Sequence, residues 1–174
     1  MLNKKNPILY VALILVAAFA GYFIYDNFIA PKPVGEVGIS TGNMLLDQTI
    51  PAVDGSGSVS FSDYRGKVLV IDFLAPWCEP CKAQVGVLAQ IADIEGVEVL
   101  SINIDGNYDM TYLQNFAADE GITWFFGHSP SSAIAYEVDG IPTVLIVDQN
   151  GLIVRRGYYA TIQEFDMVLS QLLG

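Results

Sequence analysis

Histidine occurs once and cysteine twice in these 174 residues. That scarcity excludes a structural four-ligand zinc site, since Cys78 and Cys81 would need two further Cys or His and only His128 remains. It also means that a hydrophobic core, not a set of disulfide staples, must hold the fold. Basic residues are few as well, 8 Lys and Arg against 19 Asp and Glu, for a net charge of −11. With Lys4, Lys5 and Asp26 set aside, six basic residues face eighteen acidic ones. Such a surface repels nucleic acid, so no nucleic-acid partner is expected. It also repels anionic lipid, so any membrane link must be apolar rather than basic. Solubility is a plainer reason for the acidity than a dedicated basic partner. Internal repeats and low-complexity segments are missing too.

Only one stretch is long and apolar. Residues 8–25 carry no charge, and as a helix they would extend about 27 Å, close to the thickness of a bilayer core. Lys4 and Lys5 precede them and Asp26 follows, an asymmetry that puts the N-terminus in the cytoplasm and the remainder outside the cell membrane, a single-pass topology. A cleaved signal peptide is the alternative, because Ala18-Phe19-Ala20 offers a small-x-small pattern behind an apolar core. The apolar character running on through Tyr22, Phe23, Ile24 and Tyr25 favours the uncleaved anchor. Residues 30–40, with two prolines and two glycines, read as an extended tether. The expected division is thus 1–29 as anchor or signal peptide, 30–40 as linker, and 41–174 as one folded domain.

The chemistry is concentrated in Trp77-Cys78-Glu79-Pro80-Cys81. The apolar run 67–74 predicts a buried strand, and apolar residues at helical spacing over 79–95 predict a helix closed by Gly96. Cys78 then falls at a helix N-terminus, where the dipole and free N–H groups favour a thiolate. A second thiol one turn along can resolve a mixed disulfide, so the pair points to thiol-disulfide exchange.

Elsewhere, 44–51 and 58–61 flank a Gly-Ser-Gly turn and predict a hairpin, and 97–104 predicts a second strand. Thr111 with Gln114 resembles a capping box opening a helix that ends at Gly121. Strands are expected over 122–126, 143–147 and 152–156, the last two joined through Asn150-Gly151, with a short helix over 130–137. Thr161 with Glu164 caps a final helix running to about 173. A βαβ half followed by a ββα half predicts an α/β fold, a central mixed β-sheet with helices on both faces.

Ile71-Asp72-Phe73 ahead of Trp77-Cys78, then Gly140-Ile141-Pro142-Thr143, then Gly157, stand in the order and spacing of the thioredoxin superfamily. The hairpin and Ser60-Phe61-Ser62-Asp63-Tyr64-Arg65-Gly66-Lys67 resemble its membrane-tethered TlpA/ResA subgroup, and Cys78-Glu79-Pro80-Cys81 resembles the reductants of cytochrome c maturation in that group. The resemblance implies a thioredoxin fold with an N-terminal hairpin extension, a redox-active Cys78–Cys81 disulfide, and no other cofactor. Cys78 becomes the exposed nucleophile and Cys81 the deeper resolving thiol. Asp72 matches a buried aspartate beneath the cysteines; burial raises such a carboxyl's pKa, which suits it to take the Cys81 proton. Pro142 matches a cis-proline that frees the backbone of Ile141 to pair with substrate, and Trp77 flanks that groove. Pro80 shapes the first helical turn. Glu79 places a negative charge beside Cys78 and pushes the pair toward reducing potential.

Two positions depart from the reductants: Gln84 stands for a glutamate and Gly86 for a proline. Gln84 cannot titrate, so Asp72 is left with the proton work. The implied partners are cysteine-containing exported proteins and a membrane thiol electron carrier, the chain itself being held by its N-terminal helix. Two alternatives stay open: an oxidase or isomerase for exported proteins, and a copper-delivery module using Cys78, Cys81 and His128. No resident metal is expected, because the copper proteins of this fold use CxxxC rather than CxxC.

Overall fold

The computed structural model describes residues 14–17, 19–20 and 35–174. Residues 14–17 and 19–20 are helical; the rest of the expected span over 8–25, and residues 30–34 of the tether, lie outside the described residues. Among the described residues no helix is long and apolar enough to cross a membrane. Gly35–Gly174 forms one unit and is described by itself.

That unit opens with β1 (Val37–Gly38), paired in parallel with β2 (Met44–Leu45), so residues 37–38 belong to the fold rather than to a free tether. β3 (Thr49–Pro51) and β4 (Ser58–Ser60) form the expected hairpin, with Gly55 and Gly57 at positive φ in its turn. A 3-10 turn over Phe61–Tyr64 leads to β5 (Val68–Leu74), buried along its whole length. Then come α1 (Glu79–Leu88), β6 (Val97–Asn103), α2 (Met110–Glu120), β7 (Phe125–His128) and α3 (Pro130–Ala135). β8 (Thr143–Val147), β9 (Ile153–Gly157) and α4 (Ile162–Leu173) complete the chain.

Five strands make the central sheet in the order β7-β6-β5-β8-β9, with β5, β6 and β7 parallel and β8 antiparallel to both its neighbours, β5 and β9. Burial on both faces explains the nearly unbroken apolar runs of β5, interrupted by Asp72, and β8. Alternation along β5 sends Leu69, Ile71 and Phe73 to one face, where Phe61 and Tyr136 pack. Val68 and Val70 go to the other, covered by Leu88 from α1 and by Phe165 and Leu169 from α4. The expected mixed sheet with helices on both faces, and the thioredoxin-like architecture, are therefore present.

Several boundaries move. The helix expected over 79–95 stops at Leu88, after which i→i+3 bonds such as Ile91 N–H to Leu88 O and Ile94 N–H to Ile91 O tighten the chain. Ile91 stays fully buried in these turns, so its apolar signal does not lengthen the helix. Asp109, not Thr111, caps α2, its carboxylate accepting from Tyr112 N–H; Gln114 instead donates to Val53 O. The strand expected over 122–126 is displaced to Phe125–His128, since Ile122 N–H is used to close the α2 terminus on Ala117 O. Asp148 takes the N–H groups of Asn150 and Leu152, so the β8–β9 connection is a five-residue loop rather than a two-residue turn. The Thr161–Glu164 capping box of α4 forms as expected.

Candidate active site

The site sits where β5 ends and α1 begins. Cys78 and Cys81 form a disulfide, and Cys78 is the N-cap of α1, its Sγ accepting from Cys81 N–H at 3.2 Å. Pro80 lies in the first turn, where its missing N–H would have had no helical partner. Cys78 was expected exposed, yet it is only 3% exposed against 0% for Cys81. The cause is the loop before β8: Cys78 Sγ lies 3.6 Å from the carbonyl oxygen of Ile141, and the Ile141–Pro142 bond is cis. A disulfide sulfur has no proton to give, so this contact is packing, not a hydrogen bond.

Asp72 is the polar residue in the middle of β5, fully buried. Its cross-strand partners are Ser101 on β6 and Val144 on β8. Alternation places it between Val70 and Leu74 on the face that α1 covers, and Leu74 shares a cluster with Cys78, Cys81 and Val85. Desolvation pushes its carboxyl up to about 7, opposed by donation from Ser101 Oγ to Oδ2 at 3.5 Å. Oδ1 has no partner among the described residues. A carboxyl in that state can accept or release a proton near neutral pH.

Trp77 is 62% exposed, which rules out core filling. Its indole N–H donates to Asp105 Oδ2 at 2.8 Å, and Asn107 holds the other oxygen of the same carboxylate through both its backbone and side-chain N–H groups. These bonds keep the Asp105 carboxyl below its ordinary pKa. Trp77, Asp105, Asp139 and Ile141 line a groove of about 330 Å³. Tyr158 donates to Asp139 Oδ1 at 3.0 Å across the same region, and a Cβ on Gly140 would lie 2.7 Å from the Tyr158 ring. Glu79 is not a bare charge between the cysteines: its Oε1 takes the Lys82 ammonium at 2.7 Å. His128 is engaged with Asn103, its Nδ1 lying 2.8 Å from Asn103 Nδ2. No group of three or more His, Cys, Asp or Glu with metal-binding geometry occurs among the described residues.

Of the residues expected in the site, the structure brings Trp77, Cys78, Glu79, Pro80, Cys81, Ile141 and Pro142 together where β5 gives way to α1, and sets Asp72 within β5 on the face that α1 covers. Sequence reasoning missed Asp105, Ser101 and the pairing of Gln84 with Ala160. Ser101 carried a readable signal, a hydroxyl between the apolar Leu100 and Ile102 in a largely buried strand. Asp105 carried none beyond its place just after that strand.

The comparisons with known proteins agree with this geometry. The model of the Redoxin family matches residues 40–172. The thiol-disulfide oxidoreductase ResA of Geobacillus kaustophilus is 31% identical, over 81% of this chain and 79% of its own. That of Bacillus subtilis is 26% identical, over 83% and 79%. Among solved structures, a putative thiol:disulfide interchange protein DsbE of Chlorobium tepidum superposes with a TM-score of 0.66 at 24% identity, covering 78% of this chain and 97% of that one. With the fold, the disulfide at the α1 N-terminus and these relatives in agreement, the chain belongs to the Redoxin family, as a ResA-like thiol-disulfide oxidoreductase of the thioredoxin superfamily.

Proposed function

We propose that the chain is a membrane-tethered reductant working outside the cytoplasmic membrane on disulfides of exported proteins, apocytochrome c among them. The observation that carries this reading is the Cys78–Cys81 disulfide capping α1, with buried Asp72 on the face beneath and the Ile141–Pro142 loop above. In the reduced enzyme the Cys78 thiolate attacks one sulfur of a substrate disulfide and expels the other as a thiolate, leaving a mixed disulfide. Cys81 then gives its proton to Asp72, and its sulfur attacks Cys78 Sγ. The bond between Cys78 and the substrate breaks, the second substrate thiolate leaves, and two electrons have passed to the substrate. The enzyme ends as the Cys78–Cys81 disulfide with no other cofactor, to be reduced again by a membrane thiol carrier. Trp77 and the Ile141 carbonyl border the groove that takes the substrate chain, with Pro142 setting the direction of that loop. Anchoring falls to residues 8–25, with the N-terminus in the cytoplasm.

The test is the reduction potential of the Cys78/Cys81 pair in the detergent-solubilised full chain, set against glutathione or dithiothreitol buffers. A value of about −270 mV or lower supports a reductant; one nearer −120 mV makes the protein a disulfide donor and overturns the direction. The Glu79–Lys82 pair is the feature that favours the oxidising alternative, because Lys82 offsets the charge that would disfavour the Cys78 thiolate.

A further inference from the structure

Ser101 is fully buried, and its hydroxyl meets two polar groups. The Trp124 indole N–H donates to Oγ at 3.0 Å, and Asp72 Oδ2 lies 3.5 Å away. An indole nitrogen only donates and an ionised carboxylate only accepts, so the single hydroxyl proton of Ser101 is directed at Asp72. We propose that Ser101, its hydroxyl oriented by Trp124, is a positioning residue that sets the proton affinity of Asp72 by stabilising the ionised carboxylate. The proposal rests on the reading above in which Asp72 takes the Cys81 proton.

Geometry gives this contact its leverage. Oδ1 has no partner among the described residues, so Ser101 is the one donor there that the carboxylate has. The apolar clusters on the side of the sheet that Asp72 faces hold, from α1, Cys78 and Cys81, which titrate only after reduction. α4 brings Phe165 and Leu169, β8 brings Val144, and α2 brings Leu113 and Phe116. On β7, His128 is engaged with Asn103. Among the described residues no charged side chain competes with Ser101; its donation is opposed by burial alone. Trp124 matters because a hydroxyl without the indole donor is free to rotate and accept elsewhere.

The test titrates the Asp72 carboxyl itself, by carbon-13 NMR of the side-chain carboxyl in the full-length oxidised protein, with Asp72→Asn identifying the signal. The Ser101→Ala variant is expected to raise the midpoint by about half a unit or more, since the ionised form loses its donor. Trp124→Phe, which keeps the ring and removes only the N–H, raises it less, and Ser101→Thr restores it. A midpoint unmoved in both Ser101→Ala and Trp124→Phe overturns the proposal. The pH dependence of mixed-disulfide resolution separates it from the underlying reading. A kinetic limb that follows the shifted midpoint supports both. A midpoint that shifts without the limb supports the Ser101 assignment and overturns the proton role of Asp72.

Discussion

Gln84 holds Ala160 by both of its backbone groups: Oε1 accepts from Ala160 N–H at 2.7 Å, and Nε2 donates to Ala160 O at 3.2 Å. Both residues are fully buried, so one amide ties the turn of α1 after Cys81 to the residue before the α4 cap. Gln84→Ala leaves a buried N–H and C=O unpaired and is expected to lower stability by roughly 2–4 kcal/mol in urea unfolding. Gln84→Glu can accept from Ala160 N–H but, once ionised, sets a negative oxygen against Ala160 O. Its folded-state pKa is thereby raised, so the variant is nearest wild type below about pH 4 and loses stability as pH rises toward that folded pKa. Equal destabilisation of Gln84→Glu at pH 4 and pH 8 would refute the assignment.

The carboxyl of Asp72, pushed up to about 7 from the usual 3.8, makes stability depend on pH with a definite sign. Between those values the unfolded chain has already ionised this group while the folded one keeps its proton. The folded state therefore loses stability as pH rises from about 4 to about 7, by at most roughly 4 kcal/mol. Asp72→Asn should abolish that slope in the oxidised protein. It should also slow release from the mixed disulfide about 100-fold above pH 7, where the wild-type carboxylate can take the Cys81 proton. Thermal unfolding across pH and quenched-flow trapping check the two halves.

What could be read in the sequence was local. The CxxC pair between a buried strand and a helix, and the Thr161–Glu164 box, involve residues three apart, while the burial of Asp72 was readable through the family resemblance and the apolar run that contains it. The supports of the site were not legible because they join distant segments: Trp77 to Asp105 across 28 residues, Trp124 to Ser101 across 23, Gln84 to Ala160 across 76. The end of α1 misled for a different reason. Ile91 is as buried as a helical residue would be, so hydrophobic spacing continues after the helical hydrogen bonds have stopped.

Trp77, the residue before Cys78, is held by Asp105, whose own carboxylate is fixed by Asn107. Asp105→Ala frees an exposed ring without touching either cysteine. The expected result is a rise of about 3- to 10-fold in KM for a protein disulfide, the net worth of one ordinary hydrogen bond at an exposed site. Oxidation of the reduced enzyme by a small disulfide should stay within twofold, because no groove contact is needed. Equal losses with both substrates would show that Asp105 supports the disulfide rather than the groove.

Gly127 lets β7 approach the N-terminal hairpin. It bridges Ala52, and a Cβ added there would collide with the fully buried Ile50 side chain and come within 2.9 Å of the Phe125 ring. Gly127→Ala is therefore expected to destabilise by about 1–3 kcal/mol through overpacking. Ile50→Ala, which removes the obstructing Cγ2, should make the double variant less destabilised than the sum of the two single variants. Denaturant midpoints of the two single variants and the double give the coupling.

The two cysteines differ little in exposure, so their roles must separate by backbone position. Cys78 caps α1 and its sulfur accepts the Cys81 N–H, both of which favour a thiolate on Cys78 once the disulfide opens. Cys81 lies inside the first turn, fully buried in a cluster with Leu74 and Val85, where a thiolate has no comparable support. Cys81→Ser should therefore leave a reactive Cys78 with nothing to resolve it, and accumulate a mixed disulfide that dithiothreitol releases. Cys78→Ser should trap at least tenfold less of the same substrate. Intact-protein mass spectrometry after acid quenching reads both adducts, and equal trapping by the two variants would reverse the assignment of nucleophile and resolver.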